Sequence, residues 1–362
     1  MRSLSWALLN QLVLYFGGKS DIDLNATFSL FLNRPQLEIG SNDSCLVLLN
    51  AMSVGIERKC IDLAVIPSLL GAFMSSLQNK YQNFFNDDIE NFEDDDQLLR
   101  NETKFFKFCV KNFPEIGGQF FRETVGPFIP QMVKIQAFLD FVIKVTTVYI
   151  ITSHDMTVFA DFEKILFDSL SDLESETAMK SIGNFLCQRN FTFPIDFYVI
   201  SFQKMCEILN DDVSFENDSL CLYNETILSF TKLLCYHSDI FASYKNGIGL
   251  KNALRLWFNS IPKVLNNKKN FFVFDFLSYL IREKLNDLLE IVGPAELIKL
   301  LLNSIGQKGV SKENAKIFIS FIQNFISTKG NPFTTTDENQ NSLLNELELL
   351  RLQKIMELFE NK

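Results

Sequence analysis

The chain has 362 residues, with 34 Lys and Arg against 44 Asp and Glu, and it is 47% hydrophobic with 37 Phe. This apolar content excludes a disordered chain, because it is enough to bury a large core. The 15 Gly and 9 Pro are too few for a β-sandwich, a β-barrel or a Rossmann-type domain, since those folds need turn residues at short, regular intervals. The formal charge of −10 disfavours nucleic acid and membrane surfaces as partners and favours basic polypeptides.

Taken in chain order, nearly every segment has the period of an amphipathic helix. Short breakers divide the helices into pairs of about forty residues, the size of a HEAT-type unit. The predicted pairs are 43–85, 97–136, 138–171, 174–210, 217–262, 268–304 and 311–360, with 1–34 as an additional pair. The sequence therefore predicts an all-α fold, an α-solenoid (superhelix) of HEAT/ARM-like antiparallel helix pairs. Residues 1–362 would form a single solenoid of about seven to eight pairs, closed by a helix over 342–360.

The amino-terminal segment loosely resembles a secretion signal, and six Asn-x-Ser/Thr sequons follow it, at Asn25, Asn42, Asn101, Asn190, Asn217 and Asn224. The polar Asn10 and Gln11 interrupt the apolar stretch that a signal requires, and Asn is abundant enough for sequons to arise by chance. The seven cysteines are irregularly spaced and contain no CxxC pair, which is typical of reduced thiols. We therefore expect a protein of the cytoplasm and nucleus.

Two helices are predicted to open with a proline in or just before the first turn. Pro67 lies in the segment VIPSLLGAF, and Pro130 lies in the segment VGPFIPQMVKI. Proline is tolerated there because the first-turn amides have no partner within the helix. The recurrence of this feature supports a structural repeat.

An acidic segment, NDDIENFEDDD, covers residues 86–96 and contains no basic residue. Its crowded charges predict a solvated loop between two helices. Clustered carboxylates could bind a basic segment of a partner, and the alternative is a loop that only keeps the chain soluble. The candidate binding residues are Asp87, Asp88, Glu90, Glu93, Asp94, Asp95 and Asp96.

The longest apolar window covers residues 135–151 and carries Asp140 and Lys144 four residues apart. This spacing is typical of an ion pair on the surface of a helix in water. We therefore predict that the chain has no membrane-inserted helix.

No pattern in the sequence predicts catalysis. His154 and His237 each follow a helix end, so we expect them to interact with helix C-termini. The cysteines have no predicted histidine or basic neighbour that would lower a thiol pKa. No G-x-S-x-G, P-loop or G-x-G-x-x-G motif occurs. We therefore predict a protein that is not an enzyme, with no catalytic residues, no metal site and no cofactor.

A further pattern, Trp257-Phe-Asn-Ser-Ile-Pro262, is followed by a polar spacer and a long helix rich in Phe and Leu. Together with the acidic segment between two proline-opened helices and the closing helix, this order of features resembles the carboxy-terminal HEAT repeats of the importin-β (karyopherin-β) superfamily of nuclear import receptors. The resemblance covers residues 43–360. Its structural repeat markers are Pro67, Pro130, Trp257 and Pro262.

The resemblance implies a nuclear transport receptor, either truncated or represented by its carboxy-terminal portion. It implies three partners: cargo proteins with basic segments, Phe-Gly nucleoporins in shallow grooves between helices, and the Ran GTPase. For any single Phe, the ordinary role in the core is the alternative. The alternative function is an α-solenoid scaffold or adaptor subunit without a Ran or nucleoporin role.

Overall fold

The structure is a computed structural model that describes most of the chain. The described ranges are 2–16, 42–58, 62–85, 92–173, 175–189, 191–210, 217–243, 249–264, 270–330 and 346–360. These residues are helical or lie in short connections, and none of them forms a β-strand. The all-α class predicted from the sequence is confirmed. The chain divides into two compact units, Met1–Leu166 and Phe167–Lys362.

The first unit begins with long helices and then passes through a shorter, irregular stretch. Its helices are α1 (Arg2–Phe16), α2 (Asn42–Glu57), α3 (Val65–Phe85), α4 (Phe92–Asn112), α5 (Pro114–Phe120), α6 (Ile129–Met132), α7 (Gln136–Ser153) and α8 (Met156–Leu173), the last of which crosses the boundary between the units. Between α5 and α6 lie a π-helical turn, Phe121–Val125, and a 3-10 turn, Gly126–Phe128.

The second unit is built from helices of eight to twenty residues, apart from one short turn of helix. They are α9 (Glu176–Leu186), α10 (Ile195–Asn210), α11 (Asn217–Tyr236), α12 (Ile240–Ser243), α13 (Leu250–Ser260), α14 (Phe271–Glu283), α15 (Leu285–Val292), α16 (Pro294–Ser304), α17 (Lys312–Lys329) and α18 (Glu346–Glu360). A 3-10 turn, Ile261–Val264, continues α13.

Three predicted pairs differ from the structure, and one of them, 217–262, contains the additional short helix α12. The second helix of 97–136, expected to open with the segment VGPFIPQMVKI, is a 3-10 turn followed by the four-residue α6, and α5 and the π-helical turn precede it. Pro127 and Pro130 lack the amide hydrogen that a continuous helix needs, and Gly126 precedes them. The pair expected over 268–304 is three helices, because the backbone leaves the helical conformation at Lys284, with a φ of −137°, and this separates α14 from α15. Gly293, with a φ of 86°, ends α15 before α16, a conformation that glycine reaches without steric cost.

Aromatic side chains fill the core of the first unit. The rings of Phe73 and Phe105 stack with their centroids 4.0 Å apart, which joins α3 to α4. Phe106 meets Phe141 edge to face at 5.4 Å, which joins α4 to α7. All four side chains are buried. These four Phe residues therefore have the ordinary role in the core, which was the alternative to a nucleoporin-binding role.

Helix α7 is the one described helix that is long and apolar enough to cross a membrane by length and composition. More than half of its window, 56%, is buried inside the protein. Lys144 Nζ lies 2.6 Å from Asp140 Oδ2, so the ion pair expected from their spacing is confirmed. A buried core helix with a charged outer face explains this composition without a membrane.

The acidic loop predicted over residues 86–96 does not include the last residues of that range. Helix α4 begins at Phe92, so Glu93, Asp94, Asp95 and Asp96 belong to its first turns and not to a loop. Asp87, Asp88 and Glu90 lie outside the described residues.

Helices of the second unit pack mainly on helices that are close in sequence. Helix α11 packs on α9, α10, α13 and α14, and α14 in turn packs on α15 and α17. The closing helix α18 packs on α16 and α17. Its Glu348 is 1% exposed and accepts a hydrogen bond from Asn303 Nδ2 at 2.6 Å. A closing helix is thus present over 346–360, and residues 342–345 of its predicted range lie outside the described residues.

Candidate binding groove of the second unit

A groove of about 510 Å³ opens between α11, α13, α14 and α15. We call it the α13–α15 groove. Its walls are mostly aliphatic and aromatic, and the side chains that define it are Leu234, Leu250, Leu254, Tyr279, Leu288 and Ile291. Leu250 and Tyr279 remain 38% and 43% exposed. An open apolar depression of this size can accept one or a few side chains of a partner.

Trp257 supports the groove from beneath. Its side chain is fully buried, and its indole Nε1 donates a hydrogen bond to Thr231 Oγ1 of α11 at 2.8 Å. Its ring also meets Phe276 of α14 edge to face at 5.2 Å, and Phe276 lines the groove. The repeat marker predicted from the sequence therefore holds α13 against two neighbouring helices.

Arg255 connects α13 to α15, the helices that form two walls of the groove. Its Nε and Nη2 both donate to the backbone carbonyl of Ile291, at 3.1 and 2.6 Å. That carbonyl belongs to the last turn of α15, where no amide of the same helix remains to satisfy it, and a cation there also interacts favourably with the helix dipole. Lys251 and Glu290 form an ion pair across the same two helices. The distance between α13 and α15, and hence the width of the groove, depends on these contacts.

Pro262 lies just past the end of α13, in the 3-10 turn. The next residue, Lys263, places Nζ 5.3 Å above the ring of Tyr223 on α11. The turn thus returns toward the helix that carries Thr231. The two ends of the Trp-x-x-x-x-Pro pattern both lie near α11, one through the indole and one through the turn.

The other predicted site residues do not meet in this groove. Pro67 is the third residue of α3, and Pro130 is the second residue of α6, so both lie in first turns as predicted. Helix α6 has only four residues, and Pro130 therefore opens a short turn instead of a long helix. The described acidic residues, Glu93 to Asp96, belong to the first unit.

A second, more polar cavity of about 730 Å³ surrounds His237. The Nε2 atom of His237 lies 2.9 Å from the backbone carbonyl of Leu186, at the end of α9. A carbonyl only accepts, so this nitrogen carries the proton. His154 is the C-cap residue of α7, with a left-handed φ of 57°. Both histidines therefore lie at helix C-termini, as the sequence predicted.

One prediction about the cysteines was wrong. Arg189 does lie near Cys235 and acts to lower the pKa of that thiol, but burial is the stronger effect and the pKa is raised overall. Burial also raises the pKa of Cys109 far above its usual range and that of Cys206 to about 12. These thiols stay protonated at neutral pH, and a protonated thiol is a poor nucleophile.

Among the described residues, no group of three His, Cys, Asp or Glu side chains is arranged to hold a metal ion. The exposed side chains that open the groove, Leu250 and Tyr279, had not been singled out from the sequence. Their helical spacing matches that of core residues, so no local signal distinguishes them. Comparison with protein-family models, with curated proteins and with solved structures returned no match to this chain.

Proposed function

We propose that this protein is a helical-repeat carrier of the importin-β type, which binds protein cargo for import through the nuclear pore. The observation that carries the proposal is the α13–α15 groove, an open apolar depression built around the Trp257 marker. The order of sequence features over residues 43–360 supports the same assignment. The proposal includes a HEAT-type stack of helix pairs.

The packing of the second unit is compatible with such a stack. Helices α9, α11, α14 and α17 form one series in which each packs on the next, and α10, α13 and α15 form another. In a repeat array each unit contacts only its neighbours. The curvature of the array can therefore change at low energetic cost, which lets it bind partners of different shape. A carrier needs this property because its cargoes differ.

In this proposal the α13–α15 groove docks the ring of a Phe-Gly nucleoporin repeat. A single aromatic ring buries a large apolar area and packs favourably against other rings. Tyr279 and Phe276, which stack with centroids 6.2 Å apart, offer such a surface. Cargo with basic segments would bind elsewhere, with the acidic residues Asp87 to Asp96 as candidates, and Ran·GTP would release it by favouring a different curvature.

The test is binding of the full chain to an immobilised Phe-Gly repeat peptide. The double variant Leu250→Ser/Tyr279→Ser should lower the affinity about 10-fold or more, because it removes the exposed apolar side chains at the mouth of the groove. The matched control is Phe271→Ser. Phe271 is 58% exposed in the same unit but does not line the groove, so this variant should bind as the wild type does.

A second measurement separates a carrier from a scaffold. Ran·GTP should displace a bound basic peptide from the wild-type chain, because the two partners are coupled through one flexible array. Phe-Gly binding without any effect of Ran·GTP would favour the scaffold or adaptor function. Absence of Phe-Gly binding, or equal losses in the groove and control variants, would overturn the proposal for this groove.

A further inference from the structure

The second unit contains another groove, between α17 and the segment where α14 is followed by α15. We call it the α15–α17 groove, and its volume is about 640 Å³. Its floor is formed by apolar residues of both sides, among them Leu285, Leu289, Ile317, Phe321 and Phe325. Phe321 is buried, whereas the other four are partly exposed.

The lining residues of α17 recur at a strict interval of four. They are the adjacent pairs 316 and 317, 320 and 321, 324 and 325, and 328 and 329. At 1.5 Å per residue, the groove follows α17 for about 20 Å. This length matches a partner helix of about 13 residues laid alongside, as in helix-in-groove recognition.

The charges around this groove have one sign. Arg282, Lys316 and Lys329 line it, and no Asp or Glu does. All three side chains are exposed, and among the described residues none of them forms an ion pair with a carboxylate. Glu283 and Glu313 lie on the same helices but outside the groove lining. The contrast with the α13–α15 groove is clear, since there Lys251 pairs with Glu290 and Asp287 is part of the wall.

This cationic rim lies on a chain whose formal charge is −10. A local reversal of sign around an apolar floor selects a partner that is apolar on one face and acidic beside it. Nucleic acid does not fit, because most of the lining is apolar and offers too few cations to follow a phosphate backbone.

We infer that the α15–α17 groove binds an acidic amphipathic helix of another protein. Apolar side chains of that helix, spaced at i and i+4, would rest on Ile317, Phe321 and Phe325. Its Asp and Glu residues would face Arg282, Lys316 and Lys329. This inference does not depend on the proposed transport function, which concerns a different groove and basic cargo.

The experiment measures binding of a designed fluorescent peptide to the full chain by fluorescence anisotropy. The peptide has about 15 residues, with Leu at i, i+4, i+8 and i+11 and Glu on both flanks. A second peptide keeps the Leu residues and replaces every Glu by Lys. We expect saturable binding of the acidic peptide, at least about 10-fold weaker binding of the basic one, and a loss of affinity as salt rises from about 50 to about 300 mM.

Two triple variants of equal charge change test the location. Arg282→Glu/Lys316→Glu/Lys329→Glu reverses the rim and should weaken the acidic peptide at least about 10-fold. The control variant is Lys180→Glu/Lys308→Glu/Lys312→Glu. It changes three exposed lysines of the same unit that do not line the groove. Its affinity for the acidic peptide should change less than about 3-fold, through the net charge alone.

The inference is overturned if neither peptide binds saturably, if both peptides bind equally, or if the two triple variants lose affinity to the same degree. Binding of phosphatidylserine vesicles in place of the peptide would also overturn it. Circular dichroism of both variants confirms that a loss of binding is not a loss of helix.

Discussion

At the scale of single residues, Gly183 decides how closely two helices of the second unit approach. A Cβ atom added at Gly183 of α9 would lie 2.3 Å from Ser229 Oγ of α11. That hydroxyl donates a hydrogen bond to the backbone carbonyl of Met179 at 3.1 Å. The glycine therefore leaves room for a polar contact between the two helices, and a side chain there would displace it.

We expect Gly183→Ala to lower the free energy of unfolding by about 1–3 kcal/mol, the range of overpacking in a well-packed core. The control is Gly71→Ala in α3, where the added Cβ would have no atom within 4 Å apart from its chain neighbours and the backbone of its own helix. That variant should be neutral or stabilising by up to about 1 kcal/mol, because alanine favours the helix. Urea unfolding of both variants checks this, and equal costs at the two positions would contradict it.

The sequence shows that a residue is apolar or small, but not what lies opposite to it. Trp257 was named as a structural marker only through the resemblance of its Trp-x-x-x-x-Pro pattern to that of a known family, and the sequence did not indicate which residues it packs against. Nothing in the sequence around Gly183 indicated a close crossing, since the distance depends on Ser229, 46 residues later. The role of Arg255 was missed for the same reason, because its partner is a backbone carbonyl.

At the scale of helices, α13 is held in place by contacts at its buried and exposed faces. Trp257 connects it to α11 and α14, and Arg255 connects it to the end of α15. The helix therefore acts as a bridge between three neighbours. Its sequence period predicted an amphipathic helix correctly, but not that this helix would form one side of an open groove.

A double-mutant cycle tests the contact between α13 and α11. Trp257→Phe should cost about 2–4 kcal/mol, through lost volume and the lost indole hydrogen bond. Thr231→Val removes the acceptor, so the two costs should fall short of additivity by about 1 kcal/mol.

Thr226→Val is the control in this cycle. The Thr226 hydroxyl is also buried and donates to a carbonyl of its own helix, that of Leu222, at 2.8 Å. Its cost should add to that of Trp257→Phe, because no hydrogen bond joins the two residues. Full additivity of Trp257→Phe with Thr231→Val would show that the indole contributes only by packing.

The irregular stretch after α5 shows where helix prediction failed. The sequence predicted that a helix opens with the segment VGPFIPQMVKI, since the first turn of a helix tolerates proline. Proline interrupts hydrogen bonding without changing the apolar period. The backbone therefore passes through π-helical and 3-10 turns, while Phe121 and Val125 remain buried.

At the scale of the whole molecule, a mutation in one helix can destabilise either its neighbours alone or all of the second unit. Asn314 on α17 accepts a hydrogen bond from Ser278 Oγ at 2.8 Å and donates one to Asp275 Oδ1 at 2.7 Å, both on α14. It is 4% exposed. Its removal leaves the buried hydroxyl of Ser278 without this partner, which costs about 1–3 kcal/mol, whereas Asp275 is exposed and can be solvated.

In an array with contacts only between neighbours, that cost remains local. We expect Asn314→Ala to accelerate amide hydrogen exchange by about 10-fold or more in α14, α17 and α18, and to leave α9 and the first half of α11 unchanged. Exchange measured peptide by peptide with mass spectrometry gives the result. Equal acceleration across the second unit would indicate a single cooperative globule and would remove the support for a repeat stack.

The all-α class could be predicted because it depends on composition and period, which are properties of the chain itself. The two grooves could not, because they are spaces left between helices that are distant in sequence. The six sequons illustrate the same limit. Asn224 satisfies the pattern, but it is buried within α11 and donates to the carbonyl of Leu220 at 2.8 Å, so a glycan could not be attached in this fold.

Helix α11 has a further consequence through its polar side chains. Asn224, Thr226 and Thr231 each donate a hydrogen bond to a carbonyl four residues earlier in α11 itself. A donor that is satisfied inside its own helix requires no complementary acceptor from a neighbour. The oxygens of Thr231 and Asn224 still accept hydrogen bonds from Trp257 and Asn270, so the neighbouring segments must keep donors at those two positions, and elsewhere along this interface they need to preserve only volume and shape. Around α11, substitutions in the adjoining helices that meet these requirements would leave the helix packing unchanged.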